Sequence, residues 1–134
     1  MPVKSYKFKY LGGLLVLTAT ITGKNTYSPL EVILALDTAS TKTIIKPDNM
    51  ELIGYTGKDK GKTIGITTGS KTERGFEMQL INLTCLGHSW ENPIIVEKKL
   101  PQLLFFIDGL IGLDFFQTIN KKLTIDFHKQ QLQI

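Results

Sequence analysis

Residues 34–45 read LALDTASTKTII: an apolar strand, one carboxylate (Asp37), a small residue between two hydroxyls (Thr38, Ala39, Ser40), and the apolar pair Ile44–Ile45. An Asp at the end of an apolar run often ends the strand and starts a turn. It can also be displayed there for acid–base chemistry. Other reactive groups are sparse. His88 and His128 stand in loop-like stretches, and nothing near either has ligand spacing, so no metal is expected. Cys85 sits in an apolar strand pattern and reads as a small buried side chain; as the one cysteine it excludes an internal disulfide. No motif marks a Ser or Cys nucleophile. The GKT at 61–63 does not complete a phosphate loop, because that motif's first glycine would fall at Thr56 and no helical pattern follows. No cofactor is expected.

The elements that must position Asp37 belong to a chain of 134 residues, one domain (1–134) by length and large enough for a core without staples. A hydrophobic content of 42% and a charged content of 21% are ordinary for a soluble globular protein. The net charge of +4 is mild and the lysines are scattered, which fits solvated strand faces and not a nucleic-acid partner. The start, MPVKSYKFKY, lacks the apolar core of a signal peptide, and LLVL is far too short to span a bilayer. The expectation is a cytoplasmic protein with no membrane partner. NLT at Asn82 matches a glycosylation acceptor, discounted in this strand-like context.

The dominant period is two. In LLVLTATIT, Leu15, Leu17, Ala19 and Ile21 alternate with polar positions that end in Thr18, Thr20 and Thr22, and Gly23 to Asn25 supply a turn. PLEVILAL is nearly continuous apolar sequence, so both faces of that strand should be covered. Ile44–Ile45 is closed by Pro47, and Asp48 with Glu51 could cap a brief helical turn through Ile53. TIGITTGSKTERGFEM, with Gly65, Gly69 and Gly75, suggests a hairpin. Apolar parity then switches between Phe76, Met78, Leu80 and Ile81, Leu83, Cys85, as at a bulge or sharp bend. NPIIVEKKLP gives another strand. Leu110, Leu113, Phe116 and Ile119 keep helical spacing, with Asn120 as C-cap. Leu123, Ile125 and Phe127 alternate again before a turn at 128–130. Trp90 reads as a core-edge aromatic, or as part of a cleft wall. The sum is an all-β domain with one short late helix.

At this point two segments carry a resemblance. LALDTASTKTII resembles the catalytic loop of retropepsin-like aspartic proteases: apolar strand, Asp-Thr/Ser-Gly, small residue, then an apolar pair, here seven and eight residues past the Asp. DGLIGLDFFQTINKKLTIDFHKQQLQI resembles that family's second signature: two apolar residues, Gly, a variable residue, Asp, an apolar pair and a terminal strand pair. ITTGSKTERGFEMQL sits where the family places its flap, so the similarity covers roughly residues 14–134. The resemblance implies a small closed β-barrel with one short C-terminal helix, acting on peptide or protein substrates.

It also implies the site. Asp37 would be catalytic, Thr38, Ala39 and Ser40 would complete the active-site loop, and Gly65, Ile66, Thr67, Thr68 and Gly69 would form the flap. Such enzymes use two carboxylates too close for both to ionise. This chain has one Asp-Ser/Thr-small tripeptide: Asp108 precedes Gly, and Asp114 and Asp126 precede Phe. The chain is also less than half the length of a two-lobed enzyme of the pepsin type. The second carboxylate then has to come from a second copy, in a C2 homodimer with Thr38 bonding across the axis. The sequence departs from the family at Ala39, where Gly is usual; an extra methyl takes space, and a glycine-only dihedral would be strained. Leu113 stands where viral members carry Arg, and Thr41 in place of an acid. The Ala39 departure motivates an alternative, a weak or inactive dimerising, peptide-binding relative. An unrelated small β-barrel with a chance motif is a third reading.

Overall fold

The structure, a computed structural model, describes residues 3–25, 29–68 and 71–134. In chain order its strands are β1 (Ser5–Lys7), β2 (Lys9–Leu11), β3 (Leu14–Thr22), β4 (Leu30–Leu36) and β5 (Ile44–Ile45). Helix α1 (Pro47–Leu52) precedes β6 (Thr63–Thr68), β7 (Lys71–Gln79), β8 (Asn82–Cys85), β9 (His88–Glu91), β10 (Ile94–Glu97) and β11 (Gly109–Ile111). Helix α2 (Leu113–Ile119), β12 (Thr124–Asp126) and β13 (Gln131–Gln133) complete the chain.

The strands form two sheets. A three-stranded sheet has the order β1-β13-β12. The larger one runs β6-β7-β10-β5-β11-β4-β3-β8-β9, with β2 on the free edge of β3. Among the described residues its end strands β6 and β9 pair with β7 and β8 alone, so the sheet curls without closing. The closed barrel expected from the sequence is therefore replaced by an open, curled sheet. β6 ends the order of described strands, and its Ile64, Gly65 and Ile66 line a cleft.

Periodicity placed the core correctly. In β3, Leu17, Ala19 and Ile21 are buried while Thr18 is exposed. These side chains meet Val32 and Leu34 of β4, Leu83 and Cys85 of β8, and Phe115 of α2 in one cluster. Each fully buried Val, Leu, Ile or Phe among them contributes roughly 1.5–3 kcal/mol. The other face of β3 and β4 is covered only in part, by a small cluster of Val16, Ala35 and Ile107, and Ile33 stays exposed. The parity switch after Leu80 is a bend between strands: Leu80 N–H donates to Pro93 O and Ile81 N–H to Thr22 O, both at 2.9 Å, so the chain crosses from β10 to β3 within two residues.

Helix boundaries differ from the sequence reading. Two helices form, not one. α1 starts at Pro47, whose fixed φ suits the first helical position, with Lys46 at the cap. Asp48 therefore lies in the first turn and not at the cap. Leu110 belongs to β11, because pairing on both edges draws 109–111 into the sheet. The residue that α2 buries completely is Phe115, outside the expected stripe. Asn120 does end α2, in the left-handed conformation (φ 51°, ψ 48°) with its N–H on Phe116 O. Phe127 falls past β12 and is exposed. Among the described residues no helix is long and apolar enough to cross a membrane.

Cys85 lies in the main core, where its Sγ donates to Thr18 O at 3.8 Å and burial pushes the thiol from 9.0 up to about 12. The unfolded chain then releases this proton first. Stability falls as pH rises from about 9 toward about 12, by up to ~1.4 kcal/mol per pH unit. In urea titrations at pH 8 and pH 10.5, the native protein should lose more stability than Cys85→Ala; equal losses would contradict this burial.

Candidate active site

Asp37 is placed by main-chain bonds. β4 runs parallel to β11, with Leu34, Ala35 and Leu36 against Gly109, Leu110 and Ile111. The ladder continues one step further, since Asp37 N–H donates to Ile111 O at 3.0 Å. On its other edge β11 pairs antiparallel with β5. The loop 37–43 thus leaves β4, passes over the end of β11 and returns as β5. Two glycines permit this crossing through close approach alone. A Cβ at Gly109 would sit 2.0 Å from Ile44 O, and one at Gly112 would sit 2.6 Å from Lys42 O and 2.7 Å from Ser40 O.

Within the loop, Ser40 N–H donates to Asp37 O at 3.1 Å and Ser40 Oγ to Lys42 O at 2.7 Å. Ala39 N–H donates to Asp37 Oδ1 at 3.0 Å, which fixes the direction of the carboxylate. From α2, Leu113 N–H reaches back to Ser40 O at 2.9 Å. A buried clamp lies behind these contacts. Thr43, 0% exposed, gives its N–H to Asp114 Oδ2 at 2.9 Å and its hydroxyl to Asp114 Oδ1 at 2.7 Å, while accepting from Gly112 N–H at 3.2 Å. Asp114 Oδ1 also accepts from Phe115 N–H at 2.9 Å, in the first turn of α2 where a carboxylate is favoured.

Asp37 is half-buried and opens into a cleft of about 600 Å³. Ala39 and Ser40 lie beside it, Ile44 and Leu110 give apolar surface, and Ile64, Gly65 and Ile66 of β6 form the facing wall. The structure thus brings together Asp37, Ala39, Ser40, Gly65 and Ile66 of the residues expected at the site. Thr38 is exposed and does not line this cleft. Thr67 and Thr68 continue the backbone of β6, in register with Thr72 and Lys71. Gly69 lies outside the described residues.

Among the described residues, Asp37 is the one carboxylate lining the cleft. The other aspartates that the sequence offered are occupied elsewhere. Asp108 accepts from Ile33 N–H at 2.7 Å and from Asn49 Nδ2 at 3.0 Å, Asp114 is in the clamp, and Asp126 holds Lys129 N–H at 2.9 Å. No group of three His, Cys, Asp or Glu side chains suited to a metal ion is found among the described residues. His88 lies half-buried in β9, not in a loop, and His128 is exposed. Trp90 packs edge-on to Phe115 at 6.2 Å, as a core-edge aromatic. Ala39 is not among the residues with positive φ, so it carries no glycine-only strain.

Compared by sequence, the chain matches no family model and no curated protein. Compared by structure, it is similar to a retropepsin-like aspartic protease from Rickettsia conorii, with 16% identity, 98% of this chain and 90% of that chain covered, and a TM-score of 0.70. The fold is that of the retropepsin-like aspartic proteases. A second similar structure is EIAV protease complexed with the inhibitor HBY-793, with 15% identity, 87% and 97% covered, and a TM-score of 0.58.

Within this retropepsin-like fold, sequence reasoning missed the positioning residues Thr43 and Gly109, and it placed Gly112 and Asp114 in the second signature without giving them a positioning role. Signals were present. Thr43 is a lone hydroxyl directly before Ile44–Ile45, and Asp114 is a carboxylate inside an otherwise apolar run. Thr43→Val should remove the hydroxyl bonds and leave Gly112 N–H without its acceptor, costing about 2–3 kcal/mol. Thr43→Ser should retain most of that stability. Urea unfolding of the two variants checks it, and equal stabilities would show that the clamp contributes nothing.

Proposed function

We propose that this chain is an aspartic endopeptidase that works as a C2 homodimer, with no metal or cofactor. The observation that carries the reading is Asp37, the one carboxylate among the described cleft residues, held by its own loop beside a strand, β6, that among the described strands pairs with β7 alone. One acid of this kind cannot perform the chemistry. Two of them, Asp37 and Asp37 of the partner subunit, share one proton because both cannot stay charged at close range.

Hydrolysis then follows with its atoms balanced. The ionised carboxylate takes a proton from a water held between the pair. The water oxygen bonds to the carbonyl carbon of the peptide, while the protonated carboxyl gives its hydrogen to the carbonyl oxygen. The tetrahedral species collapses as the C–N bond breaks: the carboxyl that took the water's proton gives it to the leaving nitrogen, and the other carboxylate takes a proton from a hydroxyl of the tetrahedral species. An acid and an amine result, and the pair again holds one proton. Ala39 N–H, on Asp37 Oδ1, keeps the carboxylate aimed at the water through this cycle. Thr38, exposed in the single chain, has the role of bonding across the axis. An extended peptide lies along Ile64–Ile66 as an added strand, so its main chain supplies much of the binding.

Asp37→Asn should lower peptide cleavage by at least about 10⁴-fold while the protein stays folded and dimeric. Specific activity should fall on dilution as pairs separate, and the pH–rate profile should be a bell, because the two acids titrate as a unit. Cleavage by Asp37→Asn at a rate near that of the native protein would sink the proposal.

The exposed methyl of Ala39 beside Asp37 motivates a second reading, in which the protein pairs and binds peptides without turnover. Ala39→Gly decides between them. On the leading reading the native protein already cleaves, and the glycine changes the rate by less than about tenfold, roughly 1.4 kcal/mol. Activity that appears only in the glycine variant would favour the second.

A further inference from the structure

β7 pairs with β10 only as far as Phe76, opposite Glu97. Beyond that register its hairpin with β6 leaves the main sheet and becomes the wall of the Asp37 cleft. Two features fix the departure. The first is Gly75, where a Cβ would lie 2.5 Å from Val96 Cγ1 and 2.9 Å from Glu97 O, so glycine lets β7 rest directly on the end of β10.

The second is Lys98, the residue after β10. Its N–H donates to Ile45 O at 3.1 Å, and its side chain is only 5% exposed. The ammonium donates to Lys99 O at 3.1 Å and forms an ion pair with Glu73 Oε2. Glu73 lies three residues beyond the last β7–β10 pair and stands directly across the hairpin from Ile66, which lines the cleft. A lysine this deeply buried is rare unless paired. Moving Glu73 away would leave a desolvated charge with one carbonyl, so the pair resists any displacement of the hairpin at that point. The peptidase mechanism itself makes no use of Lys98.

We propose that Lys98 is a positioning residue: through Glu73 it sets how far β6 stands above Asp37, and so how firmly an extended peptide is held. The statement about peptide rests on the peptidase reading; the tether does not. Three variants separate the two. Lys98→Met removes the charge and keeps the length, Glu73→Gln removes it from the half-exposed partner, and Lys98→Arg retains the charge.

Amide hydrogen exchange needs no activity. Over residues 63–68 and 71–76 it should quicken by about tenfold or more in Lys98→Met and Glu73→Gln, stay near the native rate in Lys98→Arg, and leave residues 14–22 and 30–36 unchanged. Unchanged hairpin exchange in Glu73→Gln, or an equal rise in the reference segments, would overturn the tether. Should Lys98→Met fail to fold, Glu73→Gln alone decides. In peptide cleavage, KM should rise about five- to tenfold with kcat within about twofold. A fall in kcat at constant KM would overturn the positioning role. Hairpin exchange as expected, with no cleavage even by the native protein, would sink the peptidase reading and leave the tether standing.

Discussion

Strand β11 lies between β4 and β5 with almost no space to spare, and the candidate site depends on that crossing. The approach at Gly109 is backbone against backbone, with Ile44 O where any Cβ would have to go. Because β11 pairs on both edges, it fixes both ends of the loop between β4 and β5. Asp37 N–H is bound to Ile111 O at one end, and Lys46 N–H to Asp108 O at the other. The carboxylate therefore stands on a rigid frame whose polar groups are spent on one another. That is the condition for a reactive side chain to hold its geometry. Thr43 and Asp114 extend the frame from the loop into the first turn of α2. A single short helix thus braces the loop without touching the cleft.

Much of this was legible in the chain, and the reasons differ by element. Strands with a wet face and a dry face, such as β3, declare themselves by period. The Asp37 loop was legible because order and spacing of residue types are local. β11 was not: a three-residue strand has no period, and what makes it a strand is the pair of neighbours brought by distant sequence. Its Leu110 fell by chance into register with the helix that follows, so the helix was read one turn too early. That Phe115 is buried completely while Phe116 and Ile119 of the expected stripe pack only in part follows from where α2 docks, which its own seven residues do not encode. The open sheet was equally hidden, since closure depends on whether β6 meets a strand or a cleft. Lys98 looked like one more scattered lysine, because nothing in KKLP distinguishes a buried ammonium from a solvated one.

Two unmet demands occur in the same place. Among the described strands β6 pairs on one side only, and its residues 64–66 line the cleft that also holds Asp37. An exposed strand edge is a liability that proteins usually cover or blunt. Here the strand lies beside Asp37, whose side-chain bond comes from its own loop. An extended main chain satisfies the first demand and a second carboxylate the second, which is why a peptide and a partner subunit enter the proposed function together.

Ala39 acts within that scheme by volume and not by strain. Its backbone lies outside the left-handed region, and its N–H still reaches Asp37 Oδ1, so the loop holds its carboxylate as a glycine loop would. What the methyl changes is the space between two facing loops in the proposed dimer. Strain inside a loop acts on every molecule, paired or not, and cannot be relieved without moving the carboxylate. Crowding between loops acts only in the dimer, and a small shift of one subunit against the other relieves it. The expected consequence of Ala39 is therefore an adjustment of how closely the subunits approach, set against the strength of their remaining contacts. The frame around β11 is untouched by that adjustment.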